Sequence, residues 1–158
     1  MFDRNRSIQL PEKEASKRLG NAGYYVIGVD VGRKGCATVA TILKCMPQPD
    51  GADMKHLVNM VILEDEHFET QAIKLKQLFY LYKARRLVID GNGLGIGLLD
   101  YMVKAQTIPD TGEFYPDFGI LNDEENFYKK YESSACVKDA IYIIKANAVI
   151  NTEAHSTL

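Results

Sequence analysis

The apolar positions fall into short runs separated by glycine and polar clusters, the layout of a domain with a sheet at its centre. Tyr24 to Val31 (YYVIGVDV) is β-branched and aromatic with little polar alternation, which predicts a central strand buried on both faces. Gly32 and Gly35 bracket a tight turn, and Cys36 to Leu43 is strand-like again, so the two segments should form an antiparallel hairpin. His56 to Leu63 supplies a third strand. From Thr70, the positions Ile73, Leu75, Leu78, Phe79 and Tyr82 fall mostly at helical spacing and predict a helix lying on the sheet. Arg86 to Asp90 (RLVID), a short apolar strand after a helix, is the mark of a parallel crossover.

A glycine run (Gly91, Gly93, Gly95, Gly97) follows, and a second helix is expected from Leu98 to Ala105. Thr107 to Pro116 reads as a loop and Phe118 to Leu121 as a fifth strand, while Ile141 to Ala146 suits a strand or a helix. At the N-terminal end, residues 1–23 are polar and read as a linker with a short helix over Glu12 to Leu19. The expected fold class is therefore α/β: a mixed sheet of antiparallel hairpin strands and parallel strands, flanked by helices.

Charge and cysteine content narrow the chemistry. A net charge of −2 and a pI near 5.9 give no global positive field, so contact with nucleic acid has to be local or bridged by metal. Cys36, Cys45 and Cys136 are odd in number and widely spaced, which argues against a disulfide framework and a thiolate zinc site and suits a reducing cytoplasm. No apolar run has the length of a membrane span, and the first residues lack the apolar core of a signal peptide.

The most informative residues are Asp30 and Asp90, each ending an apolar strand and each followed by glycine-containing turns. Either one alone reads as a turn former or cap. Their matching contexts point instead to two carboxylates on one sheet edge, where mutual repulsion calls for a proton or a cation. Mg²⁺ or Mn²⁺ takes such oxygen ligands, keeps positions for water and phosphate, and suits phosphodiester hydrolysis. Arg33 and Lys34, in the turn after Asp30, are either exposed turn residues or phosphate contacts. The acidic run Glu64, Asp65 and Glu66 reads first as a solvated helix start and second as a source of one more ligand. His56, His67 and His155 share no ligand spacing.

The segments YVIGVDVGRKG and LVIDGNGLG, with NAVINTEAHSTL near the end, resemble the C-terminal nuclease domain of phage terminase large subunits. The similarity runs from about Tyr24 to the end of the chain. It implies a ribonuclease H-like fold, a two-metal site in which Asp30 and Asp90 are the first two acidic ligands, and cleavage of double-stranded DNA. It also implies a preceding ATPase domain joined through residues 1–23, small-subunit and portal partners, and the cytoplasm of a bacterial host. The family's third acidic ligand follows the late helix, beyond Leu158; Glu153 and Asp139 are the nearest late carboxylates, and neither matches the motif. Two rivals stand beside this reading. GVDVG and DGNGLG also look like the phosphate loops of actin-like ATPases and sugar kinases, although 60 residues between the aspartates leave little chain for a nucleotide cleft. A catalytically inert docking module of the packaging motor is the second.

Overall fold

The structure is a computed structural model that describes residues 23–32, 35–64 and 67–145, and the backbone of Asn5–Gln9. The element order is β1 (Asn5–Gln9), β2 (Tyr24–Asp30), β3 (Thr38–Met46), β4 (Met54–Leu63), α1 (Phe68–Leu81), β5 (Arg86–Asp90), α2 (Leu94–Met102), β6 (Gln106–Thr107), β7 (Phe114–Tyr115), β8 (Phe118–Ile120) and β9 (Val137–Ile144). Seven strands form one sheet in the order β1-β4-β3-β2-β5-β9-β8. β3 is antiparallel to both β2 and β4, whereas β2, β5, β9 and β8 run parallel. This is the ribonuclease H-like arrangement: an antiparallel three-stranded unit whose first strand continues sideways into parallel strands.

Both helices cover one face of the sheet. On β2, Ile27 and Val29 are buried while the alternate positions Val26 and Gly28 are half-buried and Asp30 is exposed, so the strand is sealed on one face, not both. The sealed face continues through Ala40, Ile42, Leu87, Ile89 and Ile141. Full burial of each large aliphatic side chain there contributes about 2 kcal/mol. The buried stripe of α1 is Ala72, Leu75, Lys76 and Phe79, spaced one and two helical turns apart, with Ile73 only half-buried.

Lys76 is the exception within that stripe. Its ammonium has no exposed surface and donates to Lys104 O, Gln106 Oε1 and Pro116 O at 2.6, 2.6 and 2.8 Å. All three protons are thereby satisfied, and the small β6–β7 ladder within the expected loop is tied to α1.

Other differences have local causes. Asn5–Gln9, inside the expected linker, pairs with β4 as an edge strand through its backbone. The expected helix over Glu12 to Leu19 lies outside the described residues. The second helix starts at Leu94, four residues early, because Gly93 adopts φ 54° and allows the chain to turn into the helix at once. The segment left open between strand and helix is β9, held between β5 and β8.

Candidate active site

In the parallel pairing of β2 with β5, Val29 is opposite Ile89, so Asp30 and Asp90 follow at equivalent positions on neighbouring strand ends. Adjacent strands lie about 5 Å apart, and residues at one register share a face of the sheet. Asp30 is exposed and Asp90 half-buried, so both carboxylates are open to solvent. Asp90 is oriented by its own turn, since its Oδ1 accepts the Asn92 N–H at 2.9 Å.

Behind Asp30, a buried polar clamp fixes the chain. Thr38 Oγ1 accepts the Gly32 N–H at 2.9 Å and donates to Gln71 Oε1 of α1 at 2.7 Å. Gly32 is required there: a Cβ would fall 2.3 Å from Ala37 O.

The glycine run after Asp90 is structural. A Cβ on Gly95 would lie 1.7 Å from Asp90 O, one on Gly91 2.3 Å from Ile143 Cγ2, and one on Gly97 2.5 Å from the Phe68 ring. Gly95 lets α2 sit directly against the end of β5, while Gly91 and Gly97 make room for Ile143 of β9 and Phe68 of α1. The Gly32 N–H is taken by Thr38 and the Gly91 N–H by Ile144 O at 2.8 Å, so neither cradles a phosphate. This weighs against the actin-like reading.

No protein-family model, curated protein or solved structure matches the chain. The site therefore rests on its geometry. Two carboxylates on one strand edge are hard oxygen donors suited to Mg²⁺ or Mn²⁺. Among the described residues, no three or more His, Cys, Asp or Glu side chains gather to hold a metal ion.

Glu64 follows β4, two strands away from β2 in the sheet, and belongs to no such group, while Asp65, Glu66, Arg33, Lys34, Glu153 and His155 lie outside the described residues. Asp139 sits at φ 53° partway along β9, several residues short of the end that meets Asp90. His56 is beside Lys44 near the opposite end of the sheet, and His67 precedes α1 without capping it through its side chain.

Beside Asp90, a cleft of about 420 Å³ runs between the β5–α2 turn and the loop after β8, bounded by Gly91, Ile96, Asn122, Glu124, Glu125, Tyr128 and Lys145. Asn122 fixes this loop by pairing both amide groups with Ile143 of β9, at 2.8 and 2.9 Å. Asp123 accepts the N–H groups of Phe127, Tyr128 and Lys129. The remaining acids of the run, Glu124 and Glu125, are exposed on the cleft wall. The sequence reading did not single them out, although four polar residues directly after a strand, Asn122 to Glu125, are the signal that marks them.

Proposed function

We propose that this chain is the metal-dependent endonuclease domain of a viral DNA-packaging terminase and hydrolyses phosphodiester bonds of double-stranded DNA. The observation that carries the reading is the equivalent placement of Asp30 and Asp90 on adjacent parallel strand ends of a ribonuclease H-like sheet. Asp30 and Asp90 would hold Mg²⁺ or Mn²⁺, which would activate water and stabilise charge on the phosphate. The two side chains anchor and orient. Asp90 is preset by its bond to Asn92, and Asp30 precedes the Thr38 clamp. The motor, small-subunit and portal partners and the bacterial cytoplasm belong to the same proposal. No helix among the described residues is long and apolar enough to cross a membrane.

The test is nicking of supercoiled plasmid in Mg²⁺ and in Mn²⁺ by the parent, Asp30→Asn and Asp90→Asn. Asn keeps the side-chain volume and removes the anionic ligand, so cutting should fall about a thousandfold or more, with an unchanged circular dichroism spectrum. An Asp90→Asn variant that cuts as fast as the parent would rule out the assignment. A parent inert in both metals favours the docking-module reading.

A further inference from the structure

The end of the sheet away from the aspartates carries the opposite charge. Lys44 and Lys55 come to it from the β3–β4 hairpin, and Lys83, Arg85 and Arg86 from the connection into β5. The described carboxylates toward that end are Asp50, Asp53, Asp117, which Ser133 caps, Glu132, which pairs with Lys138, and, on the flanking β9, Asp139. Asp53 is engaged, for Tyr24 Oη donates to its Oδ2 at 2.5 Å. The Tyr24 ring so fixed is a platform for Arg85, whose guanidinium carbon lies 3.6 Å from the ring centroid.

Stacking leaves the guanidinium's N–H donors pointing outward in the plane of the group. Arg85 is exposed, and no side-chain hydrogen bond ties it to another described residue. Lys55 is close by: Cys45 pairs with both Lys55 and Tyr24 across the strands. Next in the chain, Arg86 Nη1 is buried without a hydrogen-bond partner, alone in this among the buried side-chain nitrogen and oxygen atoms of the described residues.

We propose that this basic end binds the phosphate backbone of DNA, with Arg85 gripping one phosphate through two parallel N–H donors and Lys55 and Lys83 beside it. The choice of DNA as the polyanion rests on the nuclease reading. The end bearing Asp30, Asp90, Glu64, Glu124 and Glu125, with Lys145 on the cleft wall, keeps an excess of acid among the described residues and repels phosphate unless cations intervene, so the substrate needs an anchor elsewhere. Arg85 immediately precedes β5 and is five residues from Asp90, about 17 Å at strand rise. That corresponds to about five nucleotides of one DNA strand, so a duplex gripped at Arg85 reaches the aspartates without a bend. A guanidinium already fixed on Tyr24 also loses little freedom on binding.

The experiment is fluorescence anisotropy of a short labelled duplex in EDTA over a salt series, using the parent, Arg85→Ala, Arg85→Lys, Lys55→Ala, Tyr24→Leu and Asp90→Asn, each checked for folding by circular dichroism. Arg85→Ala should weaken binding about tenfold and lower the slope of log K against log salt by about one. Arg85→Lys should restore the slope but only part of the affinity. Tyr24→Leu should weaken binding with no change in charge, which a diffuse electrostatic attraction would not produce.

Equal affinity of parent, Arg85→Ala and Lys55→Ala would overturn the proposal. So would competition by poly-L-glutamate as effective as by unlabelled DNA, which would assign the surface to an acidic protein. The two readings fail separately. Binding that depends on Arg85 in a protein that never cuts leaves the anchor and removes the nuclease; cutting that depends on Asp90, with binding indifferent to Arg85, does the reverse.

Discussion

The two ends of the sheet are built by different means. At the acidic end close backbone packing and a buried clamp do the positioning: Gly95 packs α2 on the carbonyl of Asp90, and the Thr38 hydroxyl fixes the turn after Asp30. At the basic end partly exposed side chains do it, in the ladder from Asp53 to Tyr24 to Arg85. Close buried packing is rigid and intolerant of substitution, whereas a stacked, partly exposed ladder can lose a rung and keep the fold. Changes at the acidic end should therefore cost stability, and changes at the basic end mainly binding.

The largest effect should come from Gly95→Val. Its Cβ would overlap Asp90 O, which has to be relieved by moving α2 off β5. A loss of about 3 kcal/mol or more is expected in urea unfolding. A variant of parental stability would mean that the acidic end is not set by backbone fit.

Lys76→Met should come next, at about 3 kcal/mol near neutral pH, because it removes three hydrogen bonds, one buried and two part-buried, that the exposed cations of the basic end do not have. Burial brings the Lys76 pKa down to about 8, with Asp117 opposing. Below that value the residue is charged in both the folded and unfolded chain, and the penalty for burying it is fully present. Between about 8 and the unfolded value of about 10.4 the unfolded chain holds more protons, so stability of the parent should rise with pH. The rise should be missing in Lys76→Met when the two are compared by urea midpoint at each pH.

Thr38→Val removes the clamp, leaving the Gly32 N–H without its acceptor and breaking the bond to Gln71, for about 2 kcal/mol. It should also weaken Mn²⁺ binding measured by calorimetry, as the turn after Asp30 loosens. Tyr24→Phe keeps the platform ring and loses only the bond to Asp53, so about 1 kcal/mol or less is expected, with DNA affinity nearly unchanged. A loss of affinity as large as that of Tyr24→Leu would mean that the hydroxyl, not the ring, orients Arg85.

The acidic end was legible in the sequence because its logic is local. Each aspartate ends an apolar strand, a helix separates the third strand from the fourth, and a crossover of that length brings the return strand in parallel. β5 matches its expected bounds to the residue. The basic end was not legible, since Tyr24, Asp53, Lys55 and Arg85 meet only after the sheet has formed and no spacing marks them. β1 escaped because an edge strand pairs through its backbone and needs no apolar pattern. Lys76 escaped because a lysine inside a helical stripe looks like a solvent position until its acceptors arrive from residues 104 to 116.

Asn122 has one more effect. Its side-chain amide meets both backbone groups of Ile143, and the Leu121 N–H meets Ile141 O, so the outer margin of β9 past the three-residue β8 is already occupied. A single side chain thus stands in for a missing strand residue. Another copy of the chain arriving there finds no row of vacant donors and acceptors to zip onto, so association by strand addition is closed along that stretch. The mouth of the cleft next to Asp90 keeps its shape without a further strand to frame it.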